Sequence, residues 1–313
     1  MELRVLRYFL TVAREESITG AANYLHLTQP TLSRQIRDLE EELGQKLLVR
    51  GSHRVTLTAE GMLLRKRAEE IVAMADKTEE EFRAMHGLLS GDVYIGSGET
   101  VAMNLVAAVC REIRESYPGV RWHLYSGNAE DVTERLDKGL LDFGILIQPT
   151  DITKYNYLSI PAKDRWGVIV RKDHPLAALE AVTAEDLAPY PLLFSRQVLE
   201  SRAEGNALMN WFGPLRSQLQ IAATYNLCYN AAVMARQGVG CVVSLDGLVD
   251  TSEESPLCFR PLSPAIESGL DVVWKKYQVF SQAAELFLDR LRERFAGAGG
   301  GCIDLCNLCI IID

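Results

Sequence analysis

A chain of 313 residues has room for two or three domains, and 48% apolar with 24% charged residues is the composition of a globular protein, not of a disordered or fibrous one. No run of about 18 apolar residues is present, which excludes a membrane-spanning helix, and residues 1–16 pattern as an amphipathic helix instead of a secretory signal. The net charge of −9 argues at first against nucleic acid, yet residues 1–58 hold eight Lys/Arg against seven Asp/Glu, so the acidic excess lies in the remainder and the N-terminal segment can approach phosphate.

From the N terminus, residues 2–15 set Leu3, Leu6, Phe9, Leu10 and Ala13 on one helical face. Residues 17–44 then read as two short helices joined by a tight turn. Ser17 caps the first, whose apolar stripe is Ile18, Ala21, Ala22 and Leu25; small residues at 21 and 22 let a second helix cross closely. Thr28 caps the second, and Pro30 suits its first turn, where a missing N–H costs nothing. Leu32, Ile36, Leu39 and Leu43 recur at i, i+4, i+7 and i+11 and predict one buried face. Gln29, Thr31, Ser33, Arg34 and Arg37 are left on other faces, mostly in the first turns, able to bond base edges or phosphates. This is the pattern of a helix-turn-helix that enters the major groove by the N-terminal end of its second helix. The hairpin alone fits any helical core equally well.

The pieces LLVR and RVTL flank a Gly-Ser-His turn and predict a two-stranded wing, with Arg50 and Arg54 at its tip within reach of flanking phosphate or a minor groove. Thr58 caps a helix predicted over 59–89. There Leu64, Ala68, Ile71, Ala75, Thr78, Phe82, Met85 and Leu89 alternate spacings of four and three, a heptad seam suited to pairing with a second copy. Packing along its own domain is the alternative.

From residue 92 the pattern becomes α/β. Strands are expected at 93–97, 120–126, 143–147, 166–170, 191–195, 219–225, 240–244 and 270–274, with helices at 100–116, 131–138, 201–212, 228–237 and 281–295. Two such sets with a late return of the chain imply two lobes around a cleft, the boundary being crossed near 161–163 and again near 264–268. Short polar residues recur where strands meet helices: Ser97-Gly98-Glu99-Thr100, Ser126-Gly127-Asn128 and Thr224-Tyr225-Asn226. Helix-start amides at such places bind anionic or polar ligands, and the crevice beyond strand ends is the usual ligand site of open α/β sheets. Cys110, Cys228, Cys241 and Cys258 are scattered in apolar segments and read as reduced core residues of a cytoplasmic protein.

The order of helix, TQPTLSRQIRDLEEELG, wing LLVRGSHRVTLTAEG, long helix and two-lobed α/β region resembles the LysR-type transcriptional regulators, as do KDHPLA (172–177), TAEDLAPYPLL (183–193) and MARQGVGCVVS (234–244). The resemblance covers residues 1 to about 296. It implies a winged helix-turn-helix over 1–58, a linker and dimerisation helix over 59–89, and a periplasmic-binding-protein-like effector domain over 91–296. Within the last, lobe I is 91–161 with 268–296 and lobe II is 162–267. The partners it implies are double-stranded DNA with a pseudo-palindromic operator, a small effector held between the lobes, a second copy in a dimer of dimers, and RNA polymerase.

Carried over residue by residue, the resemblance makes Gln29 and Arg34 base readers and Thr28, Thr31 and Ser33 neighbours that touch backbone or adjacent bases. Arg37, Arg50 and Arg54 complete the DNA set. Ser97, Thr100, Ser126, Gln148, Ser195 and Thr224 fall on pocket-lining stretches, with Glu99, Asn128 and Asn226 beside them. Leu64, Ala68, Ile71, Ala75 and Phe82 form the dimerisation set. Two departures stand out: Leu48 where a Phe is common, and Glu99 where a small polar residue is usual, which puts an anionic effector in doubt.

After residue 296 a Gly/Cys-rich tail over 297–313 departs from the family and is expected to be disordered. Cys302, Cys306 and Cys309 share the C-x3-C-x2-C spacing of radical-SAM iron–sulfur ligands, but only four residues follow Cys309 where those enzymes place a large enclosing domain. No cofactor and no metal site is expected. An enzyme is the rival reading, yet no nucleophile–His–acid grouping, phosphate-cradling Gly loop or His-rich metal spacing is present. An architectural DNA-bending protein without a ligand is the other rival, separated from a regulator by ligand-dependent stability.

Overall fold

The structure, a computed structural model, describes residues 1–50, 54–84, 89–200 and 206–296, with the backbone alone at 50, 80–84 and 296. It comprises two units, Met1–Arg83 and Ala84–Asp313. In the first, helices α1 (Leu3–Glu15), α2 (Ile18–Tyr24) and α3 (Gln29–Leu43) enclose a core that includes Phe9, Val12, Ala21, Ala22, Leu32 and Ile36. The caps form as the sequence predicts. Ser17 accepts the Gly20 N–H at 3.1 Å, and Thr28 Oγ1 accepts the Thr31 N–H at 3.4 Å. Gly44, at φ 66°, ends α3 in the left-handed region, where a side chain would be strained. Leu43 departs from its expected place on the buried face: it is the last residue of α3, before the Gly44 cap, and is 39% exposed.

The wing is β1 (Leu48–Arg50) paired antiparallel with β2 (Val55–Leu57). It is tied to α1 through the Val55 N–H, which donates to the Glu16 carbonyl at 2.8 Å. Helix α4 (Ala59–Ala84) starts at Thr58, whose hydroxyl accepts the Gly61 N–H at 2.9 Å and donates to the Lys46 carbonyl at 2.7 Å. Gly61 is where α4 passes the wing: a Cβ there would lie 2.1 Å from the Leu47 carbonyl oxygen.

The second unit follows the chain as β3 (Gly91–Ser97), α5 (Met103–Ser116), β4 (Val120–Ser126), α6 (Ala129–Asp137), β5 (Phe143–Ile147) and β6 (Tyr155–Arg171). Then come α7 (Ala184–Leu187), β7 (Pro191–Ser195), α8 (Arg196–Glu200), α9 (Ala207–Trp211), β8 (Gln220–Tyr225), α10 (Cys228–Arg236), β9 (Cys241–Leu245), β10 (Leu257–Pro261), β11 (Glu267–Lys275) and α11 (Gln282–Ala296). The strands order as β4-β3-β5-β11-β6-β9-β7-β8, with β10 also paired to β6. β3 runs parallel to β4 and β5, and β7 runs parallel to β8 and β9, while β11 is antiparallel to β5 and β6.

The sheet carries separate cores on its two halves. One packs Val93, Ile95, Val106, Phe143 and Phe287; the other packs Val168, Leu192, Phe194, Phe212 and Val243. β6 serves both. Its first part pairs with β11 and its last part with β9 and β10. Between the Ile160↔Leu270 and Lys163↔Gly269 pairs the register shifts, leaving Pro161 and Ala162 out of the ladder. A proline is tolerated there because no N–H is needed.

Several elements differ from the sequence reading. The strand expected at 166–170 is the end of the much longer β6, β10 and α7 are additional elements, and the single helix expected over 201–212 is replaced by α8 and α9 on either side of residues outside the described set. The helix expected from residue 100 starts at Met103, since Thr100 Oγ1 accepts the Ala102 N–H at 3.0 Å and makes a turn there first.

Candidate functional site

In the first unit, α3 buries Leu32, Ile36 and Leu39 and turns Thr28, Gln29, Thr31, Arg34 and Arg37 to solvent. Thr28 and Thr31 are bonded to each other through their hydroxyls at 2.8 Å. The Arg34 side chain is 80% exposed with only a 3.8 Å approach to Asp38, one turn on, so it is held loosely enough to exchange that partner for a base edge. Arg54, on the wing, is 70% exposed and 3.8 Å from Glu16. The Arg50 side chain lies outside the described residues. Ser33 is a correction: it is buried at 7%, because it follows Leu32 on the inward side of α3 and not among the solvent-facing residues of the first turns.

One residue in α3 escaped the sequence reading. Glu40 is 4% exposed and its carboxylate accepts the N–H groups of Leu47 at 2.9 Å and Leu48 at 3.2 Å, with Lys46 Nζ at 3.1 Å. Burial pushes its pKa up, but the two amides and the ammonium outweigh that and hold it below the ordinary carboxylate range. Glu40 thus pins the wing to the helix it flanks. A run of three acids, Glu40 to Glu42, at the end of a helix gives no hint that one of them is inside.

The long helix divides its seam. Ala68 is fully buried, Leu64 packs against the core of its own unit, and Arg7 is ion-paired with Asp76 on the same side. Those two seam positions are corrections, committed to intramolecular packing because α4 lies along its own helical bundle. Ile71 is 40% exposed and Ala75 is half-buried, while the Phe82 side chain is outside the described residues.

In the second unit a cavity of about 110 Å³ opens between the two halves of the sheet. Of the expected residues it is lined by Glu99, Asn128, Gln148, Ser195 and Asn226. Trp166, Gln197, Asn206, Tyr225, Cys228, Ser244 and Ser268 line it too, together with apolar groups such as Ile147, Leu208 and Ile266. Most polar groups are already held. Gln148 Nε2 donates to Asp271 at 2.5 Å, Trp166 Nε1 to Ser268 Oγ at 2.9 Å, Tyr225 O–H to the Val243 carbonyl at 2.6 Å, and Ser244 Oγ to Cys228 Sγ at 3.1 Å. Burial pushes the Cys228 thiol up to about 11, which keeps it protonated and unreactive.

Ser97, Thr100 and Ser126 are corrections. They line a separate, wider recess of about 390 Å³, not the cavity; Gly98, Glu99 and Leu248 line both and so stand between the two. Their hydroxyls are locally engaged: Ser97 Oγ donates to the Gly98 carbonyl at 2.6 Å, and Thr100 serves the turn described above. Thr224 is also displaced. It is exposed and lines neither space, because successive strand residues face opposite ways and Tyr225 takes the inner side. Among the described residues no group of three or more metal-ligating side chains converges, and no helix is long and apolar enough to cross a membrane. Cys302, Cys306 and Cys309 lie outside the described residues.

Two regions therefore stand out: an exposed polar and basic helix start beside a wing, and a polar-rimmed cavity between two sheet halves. Residues 3–62 match the model of the bacterial regulatory helix-turn-helix protein, lysR family, and residues 86–296 match that of the LysR substrate binding domain. The chain is 31% identical to the Hca operon transcriptional activator HcaR of Escherichia coli (strain K12), with 95% of this chain and 99% of that protein covered. It is 29% identical to the uncharacterized HTH-type transcriptional regulator YvbU of Bacillus subtilis (strain 168), covering 94% and 99%. Full-length CbnR, in its crystal structure with target DNA, shares the fold with a TM-score of 0.72 at 20% identity over 94% of this chain and 100% of that one.

Proposed function

Because the chain belongs to the LysR family of DNA-binding transcriptional regulators, we propose that Gln29, Thr31 and Arg34 read the operator while a small molecule in the Gln148–Ser195–Asn226 cavity sets its activity. The family is one of regulators and not of enzymes, and its second domain is an effector-binding one. The observation that carries the assignment of the reading head is the two-faced character of α3. One face buries Leu32, Ile36 and Leu39, and the first turns of the other present two hydroxyls, an amide and an exposed guanidinium to solvent. Thr28, Arg37, Arg50 and Arg54 then serve phosphates, which position the head without reading sequence.

In this reading the DNA-binding domain is 1–58, the linker helix runs over 59–89, and the effector domain is 91–296 with lobes exchanging near 161–163 and 264–268. Two copies joined along the linker present two heads to a two-fold operator, and two such dimers associate. The regulator works in the cytoplasm and passes the signal to RNA polymerase. Selection of bound DNA from a random duplex library tests it. A two-fold consensus footprinted by the full chain and altered by a small ligand is expected; recovery of no consensus would overturn the reading head.

A further inference from the structure

Two nine-residue helices start at the rim of the cavity, and each has its first amide capped from the opposite half of the sheet. The Cys228 N–H that begins α10 donates to the carboxylate of Glu99, which lies between β3 and α5. The Ala129 N–H that begins α6 donates to Gln197 Oε1 of α8 at 3.1 Å. α10 has no acid in its own first turn, so Glu99 supplies the negative group that the partial positive charge of a helix start favours. α6 already carries Glu130 and Asp131 in its first turn.

A carboxylate entering this cavity meets helix starts already furnished with acids. Among the described residues no Lys, Arg or His lines the space to compensate it. Like charges in a partly dry cleft repel strongly. The rest of the lining is apolar surface, including Ile147, Trp166, Leu208 and Ile266, with neutral amides and hydroxyls at the rim. A ligand N–H or O–H can donate to Glu99, whereas a ligand carboxylate has only acceptors to offer it.

We propose that Glu99 sets the charge preference of this cleft: it takes a small molecule with an apolar body and an amide, hydroxyl or amino head, and rejects the carboxylate of the same body. The proposal rests on the cavity being the effector site. The volume of about 110 Å³ is somewhat below the roughly 150 Å³ that holds a benzene ring. A single-ring ligand therefore also loosens the Glu99–Cys228 and Gln197–Ala129 caps, which couples occupancy to the spacing of the two halves.

The test uses matched trios, propionate, propionamide and propylamine with benzoate, benzamide and benzylamine, titrated by calorimetry and thermal shift into the full chain. The variants are Glu99→Ser, the near-isosteric Glu99→Gln in case the first fails to fold, and Ala207→Trp, which fills the cavity from an exposed position and leaves the core untouched. The amide or amine of a trio should bind the parent about tenfold or more tightly than the carboxylate, and the ratio should collapse or invert in the Glu99 variants. A parent that binds the carboxylate as tightly as the amide overturns the proposal. So does an unchanged ratio in both Glu99 variants with binding lost in Ala207→Trp, and in that case the cavity stands as the site. Binding undiminished in Ala207→Trp, or no binding by parent and Glu99 variants alike, overturns the cavity as effector site and the proposal with it.

Discussion

The buried carboxylate of Glu40 accepts the Leu47 amide at 2.9 Å, so the end of the helix proposed to read DNA and the start of the wing are one rigid piece. A head that recognises DNA by two contacts at once needs their spacing fixed, and this bond with its Leu48 and Lys46 neighbours fixes it.

Glu40→Ala leaves two inward N–H groups without an acceptor and should cost about 2–4 kcal/mol of stability, with Glu40→Gln intermediate. The sign with pH follows from a folded pKa below the unfolded one: the contribution is present in full above the unfolded value of 4.5 and is lost as pH falls through the folded pKa. Melts of parent and Glu40→Gln should converge as pH falls below 4.5 and through the folded pKa. A gap that widens on acidification would show that the carboxylate is not the stabilising form.

Arg34 and Arg54 should fail differently. Arg34→Ala should cost roughly 1–3 kcal/mol on the selected operator and little on scrambled DNA, because an exposed guanidinium in the first turns of α3 is placed for a guanine edge. Arg54→Ala should weaken both sequences alike and lower the salt dependence, as a phosphate contact does. Anisotropy titrations at two salt concentrations separate the patterns; an Arg34→Ala protein that binds its operator like the parent removes Arg34 from base reading.

Much of this first unit was legible from residues alone, since caps act locally. Ser17, Thr28 and Thr58 each satisfy an amide three residues on, and that depends on nothing distant. The second unit was less so. Pro161 hid the first half of β6, because a proline normally ends a strand and its tolerance here depends on a register shift against β11 that only the tertiary pairing creates. The effector set split for a similar reason. Ser97, Thr100 and Ser126 sit at the predicted strand ends, but which side of those ends opens to the cavity depends on the other half of the sheet, far along the chain.

On the long helix, Ile71→Asp places a charge on an exposed apolar position and should yield monomers with stability within about 0.5 kcal/mol of the parent. Operator affinity should fall by about 10² or more, as two linked heads become one. Ala68→Asp, by contrast, puts a charge into a fully buried site of its own unit and should unfold it. Sedimentation at nanomolar protein distinguishes the two. A dimeric Ile71→Asp protein would move the self-association surface off this helix.

Asp164 offers the last prediction. It stands on β6 opposite Ser268, just beyond the register shift, and is 1% exposed. Neither of its carboxylate oxygens has a hydrogen-bond partner of normal geometry among the described residues. Burial raises its pKa, and the Thr100 side chain relieves this only in part. An acid whose folded pKa is raised binds its proton more tightly in the folded state. The protein therefore loses stability as pH rises from the unfolded value of 3.8 through the folded pKa, and above that the full penalty of an ionised, poorly partnered carboxylate remains. Asp164→Asn removes the charge at nearly constant volume. It should stabilise the protein by about 1–3 kcal/mol at pH 7, and the gain should shrink towards pH 4 as the parent's carboxyl becomes neutral. Paired thermal melts across that range measure it. A destabilised Asp164→Asn protein at pH 7 would mean that the carboxylate has a partner that its surroundings at the strand crossing do not reveal.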